Sequence, residues 1–147
     1  MRAPFQILSV PYRFIENELY FCVFRRADSD IWQFIAGGGE NNEKPIDTAL
    51  REIKEETGVT AEKLTELKSV AFVPAEVAAE NMRTHWDKNI FVIPEYSFAF
   101  ECNADPALSS EHSEYQWLPY SDARKLLKWD SNKVAMYEIM CRLRNYE

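Results

Sequence analysis

All four glycines of the chain fall within one window, and they are Gly37, Gly38, Gly39 and Gly58. Glycine permits backbone conformations and close approaches that other residues do not, so the triplet predicts a shaped loop, with a flexible hairpin tip as the alternative. After it, Pro45 suits the first turn of a helix. Apolar residues then recur at helical spacing, at Ile46, Ala49, Leu50 and Ile53. Gly58 suits the position just past a helix end, so the window predicts a loop followed by one amphipathic helix.

Three glutamates, Glu52, Glu55 and Glu56, crowd the C-terminal end of this predicted helix. Acids there oppose the helix dipole at about 0.3–1 kcal/mol each, and like charges four residues apart repel at about 0.2–0.5 kcal/mol. All three lie on one side of the helix, because residues three and four apart share a face. The arrangement becomes favourable around Mg²⁺, since hard cations take oxygen ligands. A solvated acidic face is the alternative that spacing alone leaves open.

Composition limits the classes of function. The chain has 147 residues, of which 46% are hydrophobic, and we expect one domain over 1–147 with its own core. The net charge of −7 argues against general nucleic-acid binding, which needs a basic surface. No apolar run is long enough for a membrane span, and we expect no signal peptide. Three widely spaced cysteines without a CxxC motif indicate reduced thiols and a cytoplasmic location.

The rest of the chain predicts strands on both sides of the window and two helices at the end. Strands are expected at 5–14, 18–26, 64–73, 89–101 and 114–118, with 31–36 leading into the glycines. Pro94 marks a bulge or an edge, and 74–88 is expected to be a loop or short helix. Helices are predicted at 121–128, capped by Ser121, and at 132–145. This order predicts an α/β fold with a mixed sheet between helices.

The window is also identified, position by position, as the signature of the Nudix hydrolases. That signature is Gly, five residues, Glu, seven residues, Arg-Glu, an aliphatic, any residue, Glu-Glu, any residue, Gly and an aliphatic. The matching residues are Gly37, Glu43, Arg51, Glu52, Ile53, Glu55, Glu56, Gly58 and Val59. The flanking segments resemble the family as well, so the likeness covers nearly the whole chain. It implies a Nudix-type α/β/α sandwich with a mixed β-sheet and a Nudix box at 37–59.

The resemblance implies roles for the residues of the box. Nudix enzymes cleave a nucleoside diphosphate linked to another group by attack of water on phosphorus. The implied ligands of Mg²⁺, or of Mn²⁺ as a substitute, are Glu52, Glu55, Glu56 and the backbone carbonyl of Ala36. Arg51 and Glu43 are expected to form an ion pair between loop and helix, with Asp47 as a minor competitor. Gly38 and Gly39 would let the loop curl around the metal and the substrate.

The general base of this family often lies outside the box. Six glutamates are candidates: Glu76, Glu80, Glu95, Glu101, Glu111 and Glu114. We favour Glu111, as base and additional metal ligand, because SSEHSEYQWL resembles a Nudix segment in which Glu-His precedes an aromatic-x-Trp strand. The alternative for Glu111 is an acid on a surface loop. For His112 we favour a polar loop residue over a substrate contact.

The substrate is suggested by further resemblance. DSDIWQFIAGGGE and the segment from Glu111 to Ile139 resemble the dihydroneopterin triphosphate and dATP pyrophosphohydrolases. This implies release of pyrophosphate from a dNTP, an NTP or dihydroneopterin triphosphate. Diadenosine polyphosphate hydrolases share the Glu-His segment, but they usually carry Pro-Lys where this chain has Ile35-Ala36. A non-catalytic nucleotide-binding regulator is the remote alternative, and the intact box acids argue against it.

Candidate substrate contacts flank the box. Arg25 and Arg26 are expected to meet phosphates in preference to Arg83 and Lys88. Aromatic rings that could stack on a base, each for about 1–3 kcal/mol, are Trp32, Phe34, Trp86 and Tyr96. Core packing is the competing role for each ring. A homodimer formed through the aromatic-rich segment 86–100 is a further expectation taken from relatives.

Overall fold

The computed structural model describes residues 1–144. Seven strands form one sheet: β1 (Arg2–Ile15), β2 (Glu18–Arg26), β3 (Trp32–Gln33), β4 (Ile35–Glu40), β5 (Thr65–Pro74), β6 (Val92–Glu101) and β7 (His112–Pro119). The α-helices of this region are α1 (Pro45–Thr57), α2 (Tyr120–Leu126) and α3 (Asp130–Arg144). Two short 3₁₀ turns, Ala75–Val77 and Glu80–Met82, follow β5. The helices of the described residues are too short or too polar to cross a bilayer.

The sheet is mixed, as the sequence predicts. Its strand order is β3-β2-β1-β6-β5, with β4 also paired to β1 and β7 to β2. Strands β1 and β6 run parallel, and the other pairs are antiparallel. On one of its edges β1 pairs first with β4 and then with β2, from Tyr12 onward. The glycine strand β4 therefore lies beside the N-terminal half of β1, directly under α1.

Helices cover both faces of the sheet. Ile7 and Phe98 pack against Ala49 of α1, whereas Leu8 packs with Met136 of α3. Because neighbouring residues of a strand face opposite sides, the alternation of Ile7 and Leu8 places α1 on one face and α3 on the other. The predicted α/β/α sandwich is thus confirmed.

Some element predictions need correction. Ser121 does not cap α2: β7 runs through Pro119 directly into a helix that starts at Tyr120, and this helix start has no side-chain cap. Strand β6 starts at Val92 rather than at residue 89. Pro94 pairs with Phe72 of β5 before pairing with β1 begins, so it occupies an edge-like position rather than a bulge. The predicted end of the last helix, Asn145, lies outside the described residues.

Helix α1 packs through a narrower stripe than the sequence predicts. Ala49 and Ile53 are buried, but Ile46 and Leu50 are 41% and 38% exposed. Glu56 follows Ile53 by three residues and Ala49 by seven, so it lies on the buried stripe. The helical spacing therefore places the carboxylate of Glu56 in the interior, where this residue is 2% exposed.

Candidate active site

A lysine offsets the partial negative charge at the C-terminal end of α1. Gly58 ends the helix with φ 73° and donates its backbone N–H to the Lys54 carbonyl at 2.9 Å. The Lys54 ammonium donates to the Gly58 carbonyl at 3.0 Å. Lys54 thus supplies the positive charge that a helix C-terminus favours.

The predicted ion pair between Arg51 and Glu43 is present. Arg51 donates from Nε and Nη2 to the two oxygens of Glu43, each at 2.9 Å, and from Nη2 to the Gly38 carbonyl at 2.9 Å. Glu43 also accepts bonds from the Glu40 backbone N–H and the Thr48 hydroxyl, both at 2.9 Å. The Arg51 bond lowers the pKa of Glu43 to about 2. Arg51 thus fastens the loop, the helix and strand β4 together.

Glu52 stands directly over Gly37. A Cβ atom on Gly37 would overlap the Glu52 carboxylate, so only glycine leaves room for this acid against β4. Arg51 donates from Nη1 to Glu52 at 2.9 Å and to Glu55 at 3.3 Å. Burial, opposed by the charge of Arg51, raises the pKa of Glu52 to about 7.

Glu56 is the most deeply buried acid of the group, and neither of its carboxylate oxygens has a hydrogen-bond partner within residues 1–144. Burial first, and then the neighbouring Glu111, raises the pKa of Glu56 to about 10. Glu111 comes from the loop before β7, which is tied to the end of α1 by bonds from Ala107 N–H to the Thr57 carbonyl (2.8 Å) and from Ser109 N–H to the Glu56 carbonyl (3.3 Å). These bonds explain why Glu111 approaches both Glu52 and Glu56.

These residues fit a divalent cation. A buried carboxylate without a partner is costly, and a cation is a partner that would satisfy it. The donors are carboxylate oxygens, the type that Mg²⁺ and Mn²⁺ take. Within residues 1–144, no three acidic, His or Cys side chains already converge on one point; Glu52 and Glu55 contact Arg51 instead.

A cleft of about 1440 Å³ opens beside the acids. Its lining includes Ala36, Glu52 and Glu111 as well as the first residues of α3. Its size exceeds the range of about 300–1,000 Å³ that is usual for small-ligand pockets. The cleft therefore has room for a phosphate chain and an attached organic group together.

Residues 13–138 match the family model of the NUDIX domain. The chain belongs to the Nudix family. It is a Nudix hydrolase, an enzyme that acts on a phosphoanhydride bond, and the matched residues include the predicted Nudix box at 37–59.

Individual relatives agree with this assignment. The dihydroneopterin triphosphate diphosphatase of Escherichia coli K12 is 30% identical over 145 residues, which cover 95% of this chain and 93% of that protein. The asymmetrical bis(5'-nucleosyl)-tetraphosphatase of mouse is 29% identical over 73% of this chain and 68% of its own. A provisional NUDIX hydrolase from Listeria monocytogenes superposes with a TM-score of 0.83 at 42% identity, covering 98% of this chain and 97% of that one.

The glycine triplet does not form the curled loop that the family resemblance implies. Gly37 and Gly38 are strand residues paired with Ile7 and Gln6 of β1, and positive φ among the glycines occurs at Gly58. The absence of side chains on these glycines leaves room for neighbouring residues: the Arg2 guanidinium lies over Gly38, and the Phe5 ring lies over Gly39. Gly38 lines the cleft, whereas Gly39 is covered by Phe5.

Of the four flanking residues predicted to bind substrate, Arg26 lines the cleft. It is held by a forked ion pair with Asp28 at 2.9 and 2.8 Å. Arg25 pairs with Asp30 and, at 3.5 Å, with Glu114, outside the cleft. The flanking aromatic residues, Trp32 and Phe34, belong to the core.

The expected stacking role of Phe34 is wrong, because its ring is fully buried and no face is open to a ligand. Trp32 is partly buried against the same core and does not border the cleft. The Trp86 indole N–H instead bonds the Arg2 carbonyl at 2.8 Å, and Tyr96 packs edge-on against Phe5. The aromatic residues near the box thus mainly support the sheet.

The sequence analysis missed several cleft residues, which are Arg2, Gln6, Gln33, Ser97, Trp129 and Ser131. Arg2 is a cation close to Glu52, in a position suited to phosphate. His112 is the first residue of β7 and is buried, so it is not the polar loop residue that the sequence predicts. Burial lowers the pKa of its imidazole. The pairing of Gln6 with Gly38 could have been inferred only from the strand register, which no local pattern encodes.

Proposed function

We propose that this Nudix hydrolase is a Mg²⁺-dependent pyrophosphohydrolase. Its substrate is a nucleoside-triphosphate-like molecule, either a dNTP or NTP or dihydroneopterin triphosphate, and its products are the monophosphate and pyrophosphate. The observation that carries the proposal is the approach of Glu111 to both Glu52 and Glu56, beside a cleft with room for a phosphate chain and a ring. The likeness to the E. coli diphosphatase over nearly its whole length supports the choice of substrate.

The acids of α1 hold the cation in this proposal. Glu52, Glu55 and Glu56, with the Ala36 carbonyl, supply the oxygen ligands, and Mn²⁺ can replace Mg²⁺. Bound there, the cation neutralises phosphate charge and lowers the pKa of coordinated water. Gly37 keeps Glu52 against β4, and the bonds of Arg51 keep the whole box in register.

Glu111 is the proposed general base and an additional ligand. It is exposed at the border of the cleft and lies beside Glu52 and Glu56, so it can reach both the ion and an attacking water. Proton removal by a positioned carboxylate contributes about 10²–10⁴-fold to such reactions. Arg26 and Arg2 border the same cleft, and they would offset the negative charge of the phosphate chain.

The state of the thiols supports a cytoplasmic setting. Cys22 and Cys102 are buried and Cys141 is half-buried, and all three are free. Free thiols suit a reducing compartment, which supports a cytoplasmic enzyme. A homodimer remains part of the proposal, with the segment 86–100 as its candidate surface because Phe91 and Val92 are 73% and 55% exposed there.

Hydrolysis of diadenosine polyphosphates is the second candidate. The mouse tetraphosphatase supports it, and the open side of the cleft along β5, where Val70 and Phe72 are exposed, offers room for a second nucleoside.

A product-resolved substrate panel with Mg²⁺ distinguishes these candidates. It contains dNTPs, NTPs, dihydroneopterin triphosphate, diadenosine tetraphosphate, ADP-ribose, NADH and sugar nucleotides. Pyrophosphate with the monophosphate is the expected product pair, and it disappears in EDTA. ATP with AMP from the tetraphosphate as the best reaction favours the second candidate. Absence of turnover on the whole panel would contradict the proposal.

A further inference from the structure

A carboxylate outside the Nudix box lies buried in the floor of the cleft. Glu95 of β6 is 4% exposed and borders the cleft. Its Oε2 accepts a hydrogen bond from the Gln6 side-chain amide at 2.5 Å, but its Oε1 has no partner within residues 1–144. Burial raises the pKa of Glu95, and the side chains of Gln6 and then Ser131 oppose this effect. An acceptor oxygen is therefore held ready beside the cleft.

The strand register connects this oxygen to the box. Gln6 of β1 pairs with Gly38 of β4 on one side and with Glu95 of β6 on the other. At about 4.8 Å between strands, the backbone of Glu95 lies about 10 Å from that of Gly38. One ligand of nucleotide size in the cleft can therefore contact both Gly38 and Glu95, which border it.

The surroundings of Glu95 suit a flat polar ring. Ser97 lies two residues further along β6, on the same face of the sheet, and also borders the cleft. Trp129, just before α3, is 42% exposed at the border, and its indole N–H donates to the Gln33 side chain at 3.1 Å. An exposed, fixed indole can stack on a heterocycle. The floor thus offers hydrogen-bond partners and the border offers an aromatic face.

We propose that Glu95 is the specificity-determining residue for the ring of the substrate, and that the ring is a 2-amino-4-oxopyrimidine, as in guanine and the pterins. This inference rests on the proposed function, since it assigns the ring of the same triphosphate. Guanine and pterins carry a ring N–H beside an exocyclic NH₂, and one carboxylate accepts from both groups. Adenine presents its NH₂ beside a bare ring nitrogen, whose lone pair would face the carboxylate oxygen. Sites built to hydrogen-bond a substrate reject analogues that lack the matching groups.

Wild-type enzyme with a matched set of triphosphates tests this without any variant. We expect kcat/KM for GTP and dihydroneopterin triphosphate to exceed that for ATP by at least about tenfold. ITP, which lacks only the 2-amino group, should fall between GTP and ATP. Equal rates for GTP, ITP and ATP, or a preference for ATP, would overturn the inference while leaving the proposed hydrolysis intact. Absence of hydrolysis of all four would instead contradict the proposed function.

Binding without phosphates gives a second readout. Neopterin, followed by its own fluorescence in metal-free buffer, should bind wild-type protein. Glu95→Gln should weaken this binding at least about tenfold, since the amide replaces one of the two acceptor oxygens with an NH₂ donor that would face the N–H groups of the ring. In the same variant the ratio of kcat/KM for GTP to that for ATP should fall to about one, because the preference for GTP is lost. Glu101→Gln is the matched control, because Glu101 ends the same strand, is exposed and lies outside the cleft. Unchanged neopterin binding in a folded Glu95→Gln protein would contradict the assignment.

Discussion

The carboxylate of Glu52 occupies the space that a side chain on Gly37 would fill. The two residues belong to different elements, α1 and β4, and the bond from Arg51 to the Gly38 carbonyl holds these elements together. The position of Glu52 is therefore set by the absence of a side chain on the opposite strand. This makes the first glycine of the Nudix box part of the acid cluster, although it carries no functional group.

Gly37→Ala should displace Glu52 and impair catalysis. A shift of a catalytic group by about 1 Å can lower the rate about 10²-fold, so we expect a loss of this order in kcat/KM. The Mg²⁺ concentration for half-maximal rate should rise as well, because one ligand is moved. Gly39→Ala is the control: its methyl group would meet the Phe5 ring instead of an acid. An unchanged Mg²⁺ dependence in Gly37→Ala would show that Glu52 tolerates the displacement.

Glu56→Gln should abolish turnover and yet stabilise the metal-free protein at neutral and alkaline pH. In the folded chain the pKa of Glu56 is about 10, above its ordinary value of 4.5. Between these values the unfolded chain binds fewer protons than the folded one, so this group makes stability fall as pH rises from about 4.5. Gln does not ionise, so the variant does not lose stability in this way as pH rises. We expect its Tm in EDTA at pH 8 to rise by about 2–4 °C for each kcal/mol gained.

Thermal unfolding in EDTA between pH 5 and pH 9 measures this effect. The difference in Tm between Glu56→Gln and wild type should shrink toward pH 5, and added Mg²⁺ should stabilise only the wild type, because a ligand that binds the folded state raises its stability. Glu62→Gln, at an exposed acid, should show neither change. A Tm difference that does not vary with pH would contradict the buried position of Glu56, and wild-type turnover would contradict its role as a ligand.

Glu111→Gln should lower kcat by about 10²–10⁴-fold, the usual contribution of a general base. The amide cannot take a proton, but it keeps the loop bond between the Ala27 N–H and the residue 111 carbonyl at 2.9 Å, so the fold should persist. Glu114→Gln is the matched control, because Glu114 follows three residues later and pairs with Arg25 outside the cleft. A loss below tenfold for Glu111→Gln, or an equal loss in both variants, would move the role of base elsewhere.

Features set by local spacing could be predicted from the sequence, and features set by distant pairing could not. The end of α1 at Gly58 follows from residues close in the chain, and the contact of Arg51 with Glu43 was expected from the resemblance of this segment to the family signature; both are present. The glycine triplet was misinterpreted because glycine permits both unusual φ and close packing. Only the packing of Glu52 and Arg2 against β4 shows that glycine is needed here to leave room for these two side chains.

The burial of individual side chains depends on the same distant contacts. Trp32 and Phe34 are aromatic residues near the box, which suits both stacking and core packing, and the sheet places them in the core. Gln6 and Glu95 are 89 residues apart and meet only because β1 and β6 are parallel neighbours. No periodicity within either segment indicates that pair, so the floor of the cleft emerges only from the fold.

Glu138 of α3 stabilises the edge strand β5, and its removal should destabilise the fold. Its carboxylate accepts bonds from the Lys68 and Ser69 backbone N–H groups, both at 2.8 Å, where the pairing of β5 with β6 shifts register. Arg142 donates to the same carboxylate at 2.8 Å. Hydrogen bonds to a charged group contribute about 1.5–3 kcal/mol, so we expect Glu138→Ala to lower the free energy of unfolding by at least this amount.

Chemical denaturation measures the loss, and hydrogen exchange locates it, since the Lys68 and Ser69 amides should exchange faster in Glu138→Ala. These bonds lower the pKa of Glu138 against the opposing effect of burial. The contribution is therefore complete above the ordinary value of 4.5 and declines as pH falls below it. The gap between wild type and variant should narrow on acidification. Asp122→Ala, at an exposed acid of α2, is the control. Equal exchange at Lys68 and Ser69 in wild type and Glu138→Ala would show that β5 does not depend on this carboxylate.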